Sequence, residues 1–215
     1  MHACPFTKRR SLPTNCSIVL GLVLSLAACG GGGGDEASVA APATVGPTPV
    51  SATGAAPSTG GATSLIALDA TTSCGLASFR AELLQQINAA RAQSRTCGSN
   101  TLPAATTLAW NDRLFSAAAR HSRDMAVNNY FSHTSLDGRT FSRRMTDEGY
   151  AWSWSGENIA AGQASVSDVV SGWLASPGHC ANIMRAEFRD VAVSCVSQAG
   201  SNYGRYWTMS LARPL

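Results

Sequence analysis

Three residues in this chain carry side chains able to do chemistry together: His133, Glu157 and His179. Two neutral imidazoles and one carboxylate make three ligands for Zn²⁺ or a similar divalent cation, with a fourth position left open. An open position of that kind can activate water. His179 follows Pro177-Gly178, a pair that breaks a helix, so the spacing places it at the mouth of a cleft rather than within a helix. His133 ends the run Tyr130-Phe131-Ser132-His133, and Glu157 lies in Gly156-Glu157-Asn158-Ile159. The separations are 24 residues and then 22. Local geometry therefore does not bring the three together, and the H-E-x-x-H arrangement is absent. The alternative use of the same residues is structural, with the imidazoles and the carboxylate hydrogen-bonded to loop backbone. A metal-free hydrolase would need a nucleophile. Ser132 and Ser176 stand near the histidines, yet no G-x-S-x-G elbow occurs. His121, Asn158 and Ser176 are secondary candidates for the cleft. His121 lies on an apolar stripe, four residues from Ala117 and from Met125. Such a histidine is either a satisfied core residue or part of the cleft lining, and both readings stay open.

The elements that would position these residues begin with a helix over 76–95. Its stripe is Leu76, Phe79, Leu83, Leu84 and Ile87, and Cys97-Gly98 stops it. A second helix runs over 111–128 from Asn111, a good N-cap, with Leu114, Ala117, Ala118, His121 and Met125 inward. Asp137-Gly138 marks a turn, and a short helix follows over 140–148 with Phe141, Arg144 and Met145. Residues 150–154 read as aromatic and irregular, and Gly156-Glu157-Asn158 as a tight turn entering an extended piece. Val166, Val169, Val170, Trp173 and Leu174 give the stripe of a helix over 167–175. Alternation around Val191, Val193 and Cys195, and again around Trp207, Met209 and Leu211, predicts two strands joined as an antiparallel hairpin. With no βαβ alternation, the class is α+β.

The N-terminus reads as an export signal over 1–28. Lys8, Arg9 and Arg10 precede an apolar run over 18–28 that is too short to span a membrane. The run ends in Leu26-Ala27-Ala28-Cys29, which resembles a bacterial lipobox with Cys29 as the lipidated thiol. Acyl chains there would anchor the protein to a membrane, placing it in the periplasm, at the outer membrane or at the cell surface. Residues 29–70, rich in Gly, Ala, Pro, Ser and Thr, read as a disordered tether, and 71–215 as the domain. Without the leader, 13 arginines face 13 acidic residues and no lysine remains. That balance, with no basic run, argues against a nucleic-acid partner. Beyond the leader and Cys29, four cysteines are left: Cys74, Cys97, Cys180 and Cys195. An even number in an exported chain implies disulfides, and of the three pairings the local one, Cys74–Cys97 with Cys180–Cys195, is the expectation.

Six short motifs occur in a recognisable order: N-x-x-R at Asn88 and Arg91, A-A-R-H-S-R-D-M-A from Ala118, Y-F-S-H from Tyr130, G-E-N-I-A from Gly156, W-L-x-S-P-G-H-x-x-N-I-M from Trp173, and Y-W-T from Tyr206. Together, over 76–213, they resemble the CAP superfamily (the SCP-like domain of cysteine-rich secretory, antigen 5 and pathogenesis-related 1 proteins), and in particular its bacterial exported branch. The resemblance implies an α-β-α sandwich around a central antiparallel sheet. It also implies a cleft of two histidines and two glutamates. His133 and His179 match the histidines and Glu157 one glutamate, while Ser176 stands where the second glutamate falls. The family implies no general enzymatic activity, although proteolysis has been suggested for members. Sterol, fatty-acid and protein ligands have all been implicated. The resulting expectation is a lipid-anchored, non-catalytic module whose cleft takes a divalent cation, a small apolar ligand or a protein partner. The rival is a metal-dependent hydrolase of peptides or envelope polymers.

Overall fold

The computed structural model describes residues 38–40 and 64–215. The leader, Cys29 and most of the tether lie outside the described residues. The fold opens with strand β1 (Ser38–Ala40), helix α1 (Phe79–Arg91), and the hairpin of β2 (Arg95–Cys97) with β3 (Asn100–Leu102). The remainder follows as β4 (Ala109–Trp110), α2 (Asp112–Asn128), α3 (Phe141–Asp147), β5 (Trp152–Ala161), α4 (Val166–Ala175), α5 (Pro177–Met184), β6 (Asp190–Ser197) and β7 (Arg205–Pro214). The main sheet has the order β1-β5-β7-β6-β4. It is antiparallel except at its last pair, where the two residues of β4 run parallel to β6.

The hairpin at the end of the chain forms as expected, with Val193 opposite Met209 and Cys195 opposite Trp207. Both of its faces are buried, so the alternation separates two cores rather than core from water. Val191, Val193, Trp207, Met209 and Leu211 pack with Phe79, Leu83 and Ile87 of α1, Val169 and Trp173 of α4, and Ile183 of α5. The opposite face carries Ala192, Ser194, Thr208 and Ala212 against α2 and α3, with Val196 and Tyr206 packed on Met125 at one end. Ser122 donates to Thr208 Oγ1 at 2.9 Å, while Leu114, Phe115, Phe141 and Met145 pack over Ala192 and Ala212. The result is the expected α+β sandwich, with α1, α4 and α5 on one side and α2 and α3 on the other.

Several local expectations change. α1 ends at Arg91, not 95, because Arg95–Cys97 pairs with Asn100–Leu102 instead. The turn between them uses Gly98 at φ +65, a conformation open to glycine at little cost. Gly156-Glu157-Asn158 is the middle of the ten-residue strand β5, paired with β7 on one side and β1 on the other. Pro177 starts α5 rather than breaking the chain, since a proline in the first helical turn sacrifices no hydrogen bond. The stretch read as tether contributes β1, and 64–70 already belongs to the fold: Ile66 N–H donates to Ser116 Oγ at 3.0 Å.

The disulfides also differ from the expectation. Cys74 joins Cys195 and Cys97 joins Cys180, with Cα separations of 5.2 and 5.5 Å. The backbone decides both. Residues 72–74 run alongside β6, with Cys74 N–H donating to Cys195 O and Cys195 N–H to Thr72 O. Cys97 ends β2, which packs against α5, and the Pro177 ring sits against Gly98.

Candidate functional site

Glu157 sits mid-strand in β5 with its side chain turned toward α3 and the loop that carries His133. It is 1% exposed in its side chain. His133 Nδ1 donates to Glu157 Oε1 at 2.8 Å, and the His133 side chain is 22% exposed. A carboxylate can only accept, so this bond fixes the proton on Nδ1. The other oxygen, Oε2, accepts from an Arg144 guanidinium nitrogen at 2.6 Å. Arg144 comes from α3, whose start is capped by the Thr140 hydroxyl, and its side chain is 4% exposed. The same guanidinium donates to His133 O at 3.1 Å, Arg139 O at 2.9 Å and Ser135 Oγ at 3.1 Å. One arginine therefore ties the turn over 133–139 to β5.

His121 is fully buried beside this cluster. Its Nε2–H donates to Ser132 O at 2.8 Å, which leaves Nδ1 to accept from Ser135 Oγ at 3.3 Å. Burial lowers its pKa to about 4, outweighing the nearby Glu157 charge that raises it, so the ring is neutral at neutral pH. Of the two readings of His121, the satisfied core residue is the one found. Burial pushes the Glu157 carboxyl up, but Arg144 and then His121 and His133 pull it further down, to about 2. With His121 neutral, Arg144 supplies the lasting charge.

On the other side of β5, Asn158 Nδ2 donates to His179 O at 3.1 Å. Asn182 Nδ2 donates to Asn158 Oδ1 at 2.9 Å and to Glu157 O at 3.2 Å. These bonds clasp α5 to the strand at the residue next to Glu157. His179 is the third residue of α5 and is 3% exposed, so it lies within a helix and not after a break. Ser176 is the junction of α4 and α5; its side chain caps neither helix, while its carbonyl accepts from Cys180 N–H at 2.8 Å.

The three-ligand metal set does not fit this arrangement. Both oxygens of Glu157 are engaged, one by an imidazole N–H and one by a fixed cation. Among the described residues, no group of three or more His, Cys, Asp or Glu is gathered to hold an ion.

The profile of the cysteine-rich secretory protein family, CAP, matches residues 84–211. The chain belongs to the CAP family. Two curated relatives are from Bacillus subtilis strain 168. One is the uncharacterized protein YkwD, 34% identical over 46% of this chain and 36% of that protein; the other is the uncharacterized membrane protein YlbC, 33% identical over 40% and 25%. The matched region thus spans about a third or less of the length of these relatives. Among solved structures, an extracellular SCP-domain protein from Bacillus anthracis str. Ames is 32% identical over 51% of this chain and 34% of its own, with a TM-score of 0.45. An outer surface protein from Borrelia burgdorferi is 19% identical over 52% and 80%, with a TM-score of 0.47.

Within this CAP domain, the sequence reading missed Arg144, Ser135 and Asn182 as members of the cluster. Arg144 carried a usable signal, a cation on the apolar stripe of a short helix between Phe141 and Met145. A charge in that position needs a buried partner. Nothing comparable marked Ser135.

Proposed function

We propose that this protein is an exported, lipid-anchored CAP module that binds a small apolar ligand without turning it over. Support for export comes from the leader, the lipobox-like Leu26-Ala27-Ala28-Cys29 and two disulfides, which persist in oxidising compartments. The words secretory and extracellular in the names of its family and of the Bacillus anthracis neighbour agree with it. Support for a non-catalytic role comes from the cluster itself. The Glu157 oxygens are engaged, His121 is held neutral with both nitrogens bonded, and all four cysteines of the domain are paired.

The observation that carries the ligand class is a groove of about 590 Å³ at the start of α1. Its apolar walls include Leu68, Leu76, Phe79 and Leu84, with Arg80 and Asp69 as polar groups on the lining. Pockets of about 300–1,000 Å³ with mostly apolar walls and a few polar groups suit small molecules. An acyl chain with a polar end matches that lining, the chain against the leucines and the end beside Arg80.

A fluorescent fatty acid titrated into the full chain tests this reading. Saturable binding of one molecule per chain is expected, weakened tenfold or more by Leu68→Glu combined with Leu84→Glu. Absence of saturation, or binding indifferent to the double substitution, refutes it. Zn²⁺-dependent peptide turnover that disappears in His133→Ala would replace it with a metal-dependent hydrolase.

A further inference from the structure

We infer that Arg144 is the resident cation of the His133–Glu157 site and that its presence excludes divalent metal ions. The guanidinium sits among four oxygens: Glu157 Oε2 at 2.6 Å, Arg139 O at 2.9 Å, His133 O at 3.1 Å and Ser135 Oγ at 3.1 Å. One carboxylate, two carbonyls and one hydroxyl form the donor set that hard cations such as Ca²⁺ take. Arg144 neutralises the buried carboxylate and gathers the carbonyls of the turn over 133–139, both of which a bound Ca²⁺ would do. A second cation brought to Glu157 would meet a fixed positive charge in a buried, low-dielectric setting, where repulsion is strong. It would also find Oε1 committed to His133 Nδ1–H. Selectivity against metal is thus written into α3, an element separate from the motifs that carry the histidines and the glutamate.

The inference stands on the surroundings of Arg144 alone and is independent of what occupies the groove at α1. Its consequence is that removing the guanidinium uncovers an oxygen-lined site. In Arg144→Ala the vacated volume leaves room for Ca²⁺ with water completing its shell, and that ion restores the counter-charge Glu157 has lost.

The experiment titrates Ca²⁺, and separately Zn²⁺, into the full chain and follows the thermal midpoint and bound metal by mass spectrometry. The wild type is expected to take up neither ion at this site, with no change in midpoint. Arg144→Ala is expected to bind about one Ca²⁺ and to rise by about 5 °C at an ion concentration near one hundred times its Kd. Adding Glu157→Gln to that variant should abolish the effect. If Arg144→Ala does not fold without metal, recovery of native near-ultraviolet circular dichroism on refolding with Ca²⁺ supports the inference, and failure to recover overturns it. A folded Arg144→Ala indifferent to Ca²⁺ overturns it too. So does stoichiometric uptake of either ion by the wild type that is lost in Glu157→Gln.

Discussion

Glu157→Gln removes one buried charge with almost no change in volume, and its effect should depend on pH in a defined way. In the folded protein the carboxyl is held near 2, against 4.5 for the free group. A carboxyl depressed by that much contributes about 3 kcal/mol of stability at neutral pH. The contribution is fully present above 4.5 and is lost as pH falls through about 2. Breaking one side of a buried pair costs about 3–5 kcal/mol, and Arg144 keeps its carbonyl and hydroxyl partners, so a cost near the lower end is expected at pH 7. The new amide must also face His133 Nδ1 with an N–H, forcing the imidazole to the other tautomer. His121 acts in a separate window. Its folded pKa of about 4 lies below 6.5, so its contribution is present above 6.5 and is lost as pH falls toward 4. Urea unfolding from pH 2 to 8, followed by fluorescence with Trp173 and Trp207 as buried reporters, resolves the two. Wild type should lose stability in both windows. Glu157→Gln should lose it in the upper one and lack the further loss that the wild type shows as pH falls toward 2. The upper limb should reach to lower pH in the variant, because the Glu157 charge was raising the His121 pKa. Asp69 and Asp137 are also lowered, but both are exposed and common to the two proteins, so they cancel in the difference. Parallel wild-type and variant curves below 4.5, or a cost under about 1 kcal/mol at pH 7, would refute the reasoning.

Two further outcomes follow from the fold. The bridges close separations of 121 and 83 residues, so replacing either cysteine pair by serine should cost about 4–5 kcal/mol in the chain-entropy account, against about 3 for the local pairing. A non-reducing tryptic map should link the Cys74 and Cys195 peptides, and recovery of a Cys74–Cys97 peptide would contradict the structure. Gly98→Ala places a Cβ 2.9 Å from Pro177 Cβ at φ +65, whereas Gly138→Ala has φ +82 and open space. Both should lose about 1 kcal/mol to backbone strain, and Gly98→Ala should lose measurably more in a urea titration because the Pro177 ring must also shift.

The fold was legible wherever one physical signal dominated a segment. The stripe of α2 and its Asn111 cap are found as read, because Asn111 Oδ1 accepts from the N–H groups of Arg113 and Leu114. The terminal hairpin is found as read because alternation sets its register. Misreadings came where short-range chemistry has two uses. A Pro-Gly pair serves as a breaker or as a helix start, and here the bonds between Asn158 of β5 and His179 O, and from Asn182 back to β5, hold the segment as a helix. Gly156-Glu157-Asn158 has turn composition, yet the polar side chains of Glu157 and Asn158 are satisfied across layers, so the backbone remains free to join the sheet. Pairing of cysteines depends on which segments lie side by side, and residues 72–74 reach Cys195 through a strand contact that spacing does not encode.

The motif N-x-x-R illustrates why a family pattern can be strong in sequence and silent about activity. Asn88 binds the Leu108 backbone through both its side-chain oxygen, at 2.8 Å, and its nitrogen, at 3.1 Å, standing in for a strand partner. Arg91, fully buried, donates to Thr106 O and to the Ile183 and Arg185 carbonyls at the end of α5, where a cation complements the helix dipole. Arg91 thus holds the end of the element that carries His179, and Asn88 ties α1 to the residue just before β4. Charge bookkeeping within the His133 cluster leads to the same separation of roles. The single carboxylate of Glu157 is cancelled by Arg144, and a buried site with no net charge offers a dication no attraction to offset the loss of its water. The arginine at 144 therefore turns the cluster into a fastening between α3, β5 and the turn that carries His133.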